Sequence, residues 1–387
     1  MKIIFLSHTH RNSIFKVGSG HLARELHELG HEVLFVSTPI SILNIGKNIL
    51  SFNKEKFRDL KYKLGLVNGK RNENDKGIID YIPFTLFPYT KLPLSDSVFT
   101  ALHASSITFP RASKVLSKYN FEKVDLVLMD DPGLIFMKKF IESKLWVYRM
   151  TDIYNDMPNT QNSIEQVEGY ISSFADKFIA TSVPVAENFK KKWGKSARVF
   201  ENGVDYAHFQ GNYNRPSEYD DKDKYRAVYV GSLDKRFNWA LLNESANKLP
   251  EVKFYVIGPL DGVELVENLP KNIVLLGSIG YDKIPAYLLH ANVGLLPLIN
   301  GNSNVGRSPM KLYEYGAAGL PIVATETLEL QRRNLPFVFL AKNSEEFSLN
   351  IENLMISKKD YKKIAKDSSI RKSWNKITND MMKWIYG

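Results

Sequence analysis

Two short stretches of this sequence hold the residue types that chemistry on a polar substrate needs. In Tyr148-Arg149-Met150-Thr151-Asp152-Ile153-Tyr154-Asn155-Asp156, an aspartate follows the apolar run Leu145-Trp146-Val147. A carboxylate at the carboxyl end of a strand can take the proton of an attacking hydroxyl while it stays ionised. Asp152 or Asp156 would equally serve as an N-cap for a following helix. The second stretch is Ser308-Pro309-Met310-Lys311-Leu312-Tyr313-Glu314-Tyr315-Gly316-Ala317-Ala318-Gly319-Leu320-Pro321, which leads into Ile322-Val323-Ala324-Thr325. Pro309 suits a first helical turn, and Lys311 and Glu314 share one helix face. A helix start favours anions, so a lysine in that turn points to an external phosphate. The alternative is an exposed Lys311–Glu314 salt bridge, which contributes little.

Two further clusters are less specific. The segment from His8 to His21 follows the first apolar run, and its Gly18-Ser19-Gly20-His21 leads into a helical pattern. Glycines there let backbone approach a ligand, but the spacing is not G-x-G-x-x-G, so a dinucleotide fingerprint is not supported. Asp130-Asp131 ends another apolar run, Val127-Leu128-Met129. Adjacent carboxylates could hold a divalent metal or line a cleft. On an extended chain they point to opposite faces, which weighs against a shared metal.

The elements that must position these residues alternate. Lys2–Ser7 reads as a strand, His21–Leu29 as a helix ended by Gly30, and Glu32–Val36 as the next strand, together one βαβ unit. Further strands are expected at Leu126–Met129, Leu145–Arg149, Lys177–Thr181 and Ala197–Glu201. In the second half they are expected at Ala227–Gly231, Lys253–Gly258, Ile273–Leu276, Val293–Pro297 and Pro321–Ala324. Helices are expected at Trp239–Lys248, Ile284–His290 and Lys311–Ala318, and a last one over Ser368–Tyr386. Apolar strands alternating with amphipathic helices imply parallel sheets covered on both faces. The fold class is therefore α/β, with two Rossmann-like domains facing an interdomain cleft. The polar segment Gln210–Lys224 supplies linker chemistry. The domains are set at 1–203 and 204–367, with a terminal helix over 368–387 that can cross back to the first.

Length and composition agree with two packed domains: 387 residues, 44% hydrophobic and no cysteine. The absence of cysteine excludes disulfides and Cys-zinc sites and suits a reducing cytoplasm. No apolar run is long enough for a membrane span. The net charge of +10 is uneven, residues 1–200 holding 28 Lys and Arg against 20 Asp and Glu. No nucleic-acid motif accompanies that surplus. Instead, Ile45–Leu66 interleaves apolar residues with Lys47, Lys54, Lys56, Arg58, Lys61 and Lys63, and the aromatic, proline-bearing run Tyr81–Tyr89 follows. That composition suits an anionic membrane surface; a packed helix with a solvated outer face is the other reading.

The Ser308–Thr325 stretch resembles the C-terminal signature of GT-B glycosyltransferases, a Pro-x-Lys-x-x-Glu-Tyr helix followed by Ala-Ala-Gly-x-Pro. Glu201-Asn202-Gly203-Val204-Asp205 with Phe209, Tyr229-Val230-Gly231-Ser232-Leu233 and Val293-Gly294-Leu295-Leu296-Pro297 match in order. The resemblance implies a nucleotide-sugar donor, with Lys311 reaching the diphosphate and Glu314 the ribose. Retaining members carry a glutamate eight residues before Glu314, where this chain has Gly306. Phe15-Lys16-Val17-Gly18-Ser19-x-His21, the run ending in Asp152, and Met310-Lys311 resemble the inverting glucuronosyltransferases of xanthan-type pathways. That narrower likeness implies Asp152 as general base and a polyprenyl-diphosphate-linked acceptor at the inner membrane face. Glu314 stands where that family has an amide.

The resulting expectation is an inverting, metal-independent transfer, most simply of glucuronic acid from UDP-glucuronate. Asp152 is catalytic. Gly231, Leu233, Arg236, Arg307, Ser308, Met310, Lys311 and Glu314 meet the donor. Gly18, Ser19, Gly20, His21 and Asp131 line the acceptor side, and no cofactor, metal or nucleic acid takes part. The expected location is cytoplasmic and peripheral on the plasma membrane. A retaining transferase, a nucleotide-sugar epimerase and a non-catalytic binding subunit are the alternatives.

Overall fold

The alternating pattern becomes two large sheets and a small two-stranded one in the computed structural model, which describes residues 1–13, 16–50, 54–72, 77–86, 98–153, 163–220, 222–260, 268–299, 301, 304 and 308–387. The chain divides into two compact units, Met1–Glu201 with Thr378–Gly387, and Asn202–Ile377.

Among the described residues the first unit holds ten strands: β1 Lys2–Ser7, β2 Glu32–Ser37, β3 Ile40–Ser41, β4 Lys70–Arg71, β5 Ile78–Tyr81, β6 Phe84–Thr85, β7 Lys123–Met129, β8 Glu142–Met150, β9 Lys177–Ala180 and β10 Arg198–Val199. Eight of them form one sheet in the order β10-β9-β8-β7-β1-β2-β5-β4, and β3 pairs with β6 beside it. Among the described strands of the large sheet, β4 on β5, joined by a short connection, is antiparallel, and the longer crossovers leave the other pairings parallel. Strand order reverses between β1 and β7, the place where such sheets open a crevice.

The second unit is wholly parallel. Its strands are β11 Tyr225–Val230, β12 Val252–Ile257, β13 Ile273–Gly277, β14 Val293–Leu296, β15 Ile322–Thr325 and β16 Val338–Ala341, in the order β13-β12-β11-β14-β15-β16. Alternate residues feed opposite faces. Val228, Val230, Tyr255 and Ile257 enter one core, and Ala227, Tyr229, Phe254 and Val256 enter the other. Here the order reverses between β11 and β14.

Several elements differ from the sequence expectation. The first helix begins at Gly18, not His21, so Gly18, Ser19, Gly20 and His21 are its first turn rather than a loop. Gly18, Ser19 and His21 are buried there; packing outweighs the helix-weakening effect of the glycines. The basic stretch is two helices, Ile42–Leu50 and Lys54–Leu64. The second lays Leu60 inward and leaves Phe57, Arg58, Lys61 and Leu64 exposed, so the packed and surface-facing readings each describe one side of it. Tyr81 and Ile82 are core residues, not part of an exposed aromatic loop, and 87–89 lie outside the described residues.

The terminal helix is also two, Tyr361–Ile370 and Trp374–Tyr386. The break is bridged to Val204, whose N–H donates to the Lys372 carbonyl at 3.0 Å and whose carbonyl accepts from Trp374 N at 3.0 Å. Those groups serve a strand-like bridge instead of a helix. In the first unit, Lys177 Nζ donates to the carbonyls of Trp384 and Ile385, a cation on the end of that helix. No helix among the described residues is long and apolar enough to cross a membrane.

Candidate functional site

In the second unit, the candidate residues gather where β11 and β14 diverge. β11 ends at Val230, and its N–H donates to the Tyr315 hydroxyl at 2.7 Å, fixing the Lys311–Ala317 helix to the strand end. Gly231 and Gly258 follow β11 and β12 with their backbones in contact. A Cβ on Gly258, at φ 148°, would overlap the Gly231 carbonyl oxygen, so only glycine fits. Leu233 is buried, and its N–H donates to the Pro259 carbonyl at 2.9 Å, so its side chain belongs to the core and only its backbone can meet a donor. Beyond it the Arg236 guanidinium forks onto Asp234, and the Arg236 carbonyl accepts from Ile299 N at 2.9 Å, tying the loops after β11 and β14 together.

Pro309 is outside the helix: Met310 caps it and Lys311 is its first residue. Lys311 Nζ is 2.8 Å from Glu314 Oε2. This is not the exposed bridge of the alternative reading. The Glu314 side chain is 2% exposed and that of Lys311 26% exposed, so the lysine pairs with a buried carboxylate while part of its own side chain stays accessible. With only seven residues and no side-chain cap, the helix has a short dipole, and most of the attraction for an anion falls on the lysine. Ser308 is buried and held by three bonds, from Asn202 N at 3.2 Å, Asn202 Nδ2 at 2.9 Å and Arg333 Nη2 at 2.9 Å. Gly306 and Arg307 lie outside the described residues.

In the first unit, Asp152 stands two residues beyond β8, half-buried. It lines a small pocket, with room for about one water, whose apolar wall is Met150, Ile153, Ile164, Val185 and Phe189. The polar wall is Glu165, Glu168, Asn188 and Lys192, with Lys192 Nζ 3.1 Å from Glu165. Burial pushes the Glu168 carboxyl up, against the hydrogen bonds it accepts from Trp193 and Tyr148. Asp156 lies outside the described residues.

The remaining acceptor-side candidates are occupied internally. Ser19 Oγ is 2.8 Å from Ser7 Oγ, and Asp131 accepts from Gly133 N and Thr38 Oγ1, each at 2.8 Å. Asp130 is fully buried against Arg149 at 2.8 Å; burial pushes its carboxyl up and Arg149 opposes. The two aspartates do diverge, as an extended chain requires. The loop after β1 is pinned by Arg11 on Asp80 at 2.8 Å and by His10 on Asp59 at 2.8 Å. Burial acts to raise Asp59, but hydrogen bonds from His10 and Lys63 prevail and hold it at about 2.

Sequence reasoning missed Glu168, Arg333 and Glu329. None sits in a recognisable motif; Glu168 and Arg333 became visible through partners 20 to 25 residues away, and Glu329 through Arg333, one helical turn on.

Comparisons with known proteins fit this geometry. Residues 224–357 match the family model described as "Glycosyl transferases group 1". Among solved structures, sucrose-phosphate synthase from Thermosynechococcus elongatus superposes with a TM-score of 0.70 at 15% identity, covering 100% of this chain and 98% of that one. The fold is GT-B.

HepE of Anabaena, solved with UDP and glucose, superposes on the GT-B chain with a TM-score of 0.62 at 14% identity, covering 100% and 99% of the two chains. A protein described as the teichuronic acid biosynthesis glycosyltransferase TuaH, from Bacillus subtilis (strain 168), is 23% identical over 235 residues, 57% of this chain. That match spans 59% of the relative's length. Lys311 and Glu314 of this GT-B chain lie within the stretch that matches the group 1 glycosyl transferase model.

Proposed function

We propose that the chain is an inverting, metal-independent glycosyltransferase that transfers a sugar, with glucuronic acid from UDP-glucuronate as the leading donor, to a lipid-linked or polysaccharide acceptor. The observation that carries this reading is Lys311, partly accessible and paired with the buried Glu314 inside the stretch that matches the group 1 model. Lys311 meets the diphosphate of the donor and offsets the negative charge that grows on it as the sugar leaves. Asp152 takes the acceptor's hydroxyl proton, the hydroxyl oxygen bonds to the anomeric carbon, and the bond from that carbon to the diphosphate oxygen breaks. Attack from the opposite side inverts the anomeric centre.

Purified protein given UDP-glucuronate and a polyprenyl-diphosphate-linked sugar in EDTA should yield product of inverted configuration, read by NMR. A retained configuration, loss of activity on chelation, or epimerised donor without transfer would each exclude this mechanism. Donor that is bound but never turned over would assign a non-catalytic role.

A lipid-linked acceptor would be met at the inner face of an anionic membrane. Exposed Ile42, Leu43, Phe57 and Leu64 with Arg58 and Lys61 support that location, since cations near such a surface contribute roughly 1 kcal/mol each. Flotation with vesicles should show binding that rises with anionic lipid and falls with salt. No binding at low salt means that these helices serve only the fold.

A further inference from the structure

We infer that Asn202, Arg333 and Glu329 position the entry to the Lys311 helix and thereby set how tightly the second unit holds a nucleoside diphosphate. The inference rests on the donor-site reading of Lys311. The helix has little of its own to fix where it starts: it is seven residues long, and Met310 caps it without a side-chain hydrogen bond. Its entry is held from outside. Arg333 ends the helix Leu328–Arg333 and is 3% exposed. Its Nε and Nη2 donate to Glu329 Oε1 at 3.0 and 2.9 Å, its Nη2 also to Ser308 Oγ at 2.9 Å, and its Nη1 to the Tyr313 hydroxyl at 3.3 Å.

One planar guanidinium therefore bridges Ser308, in the segment leading into the helix, and Tyr313 in its first turn. From the other side, Asn202 donates its N–H to Ser308 Oγ and its Nδ2 to the Ser308 carbonyl. Ser308 lies three residues before Lys311, so a shift of this anchor moves the lysine. Glu329 orients the guanidinium: the carboxylate is 2% exposed, and among the described residues its Oε2 has no hydrogen-bond partner, so Arg333 supplies its compensation. A lysine could keep that charge pair but cannot reach Glu329, Ser308 and Tyr313 together, because it is a point donor rather than a fork.

The test uses full-length protein, with UDP as the probe in calorimetry and steady-state transfer as a second readout. Arg333→Lys and Ser308→Ala are chosen because alanine at Arg333 would strand Glu329 and endanger folding. Each should weaken UDP binding on the order of tenfold, raise donor KM in step and lower kcat at saturating donor, because the displaced Lys311 no longer faces the leaving diphosphate squarely. Because both variants cut the same link, the double variant should bind no more weakly than Arg333→Lys alone. A lowered Tm with wild-type UDP affinity would overturn the inference and leave a structural role only. Fully additive losses would overturn it too, since the two residues would then act separately. Lys311→Ala separates the two levels: if it leaves UDP affinity unchanged, or wild type binds no UDP, the donor-site reading fails and the inference with it. If Lys311→Ala weakens binding and the other two variants do not, the inference alone fails.

Discussion

Each unit has a sheet whose strand order reverses once, between β1 and β7 in the first and between β11 and β14 in the second. The same topology opens the same kind of crevice, yet the two are furnished differently. At the first, Ser7 meets Ser19, Asp130 meets Arg149, and Asp131 meets Thr38 and Gly133. Several polar groups there pair with one another. At the second, glycine backbone lines the strand ends, and Lys311 pairs with a buried acid while part of its side chain stays accessible. Topology supplies a place for a ligand. The charge and unused bonding capacity of a few side chains decide whether an anion can occupy it.

This contrast can be broken by substitution. The largest effect belongs to Asp152, which lines a cavity in the first unit rather than standing at either reversal point. Asp152→Asn keeps the shape and removes the base, so turnover should fall by roughly 10²–10⁴ while UDP affinity holds. Near-normal turnover would return the base to the crevice residues, with Asp131→Asn as the control.

Next in size is Lys311→Ala, which removes a charge-assisted contact and should cost about 1.5–3 kcal/mol of UDP binding by calorimetry. If it costs nothing, the two crevices are alike in lacking an anion site. The smallest effect is expected at Ser19→Ala, which breaks the Ser7–Ser19 bond. Stability should drop by about 1 kcal/mol in denaturant melts with no change in UDP affinity. A change in affinity would mean that the first crevice does touch the donor.

Much of this arrangement was legible in the amino-acid order. The apolar runs that became β1, β2, β7, β8 and β11 to β15 are short, sharply bounded and separated by helical periodicity, and local pattern governs such segments. Lys311 and Glu314 could be paired from spacing alone, because i,i+3 neighbours on a helix meet whatever surrounds it. The first turn at Gly18 was misread because glycine spoke for a loop. Burial of Ser19 and His21 against the sheet overrode it, and only packing could settle that.

The depth of Glu314 was likewise invisible. Its i,i+3 partner sits in either an exposed or a buried pair with identical sequence, and the exposures of 2% and 26% follow from what packs over the helix. Asn202, Ser308 and Arg333 lie 106 and 25 positions apart and share one hydroxyl. Spacing rules reach about one helical turn or one strand pair, so the sequence by itself determined the elements and the local lysine–glutamate pair. The tertiary structure decided which polar groups were left facing outward, because burial and long-range hydrogen bonds exist only once distant segments meet.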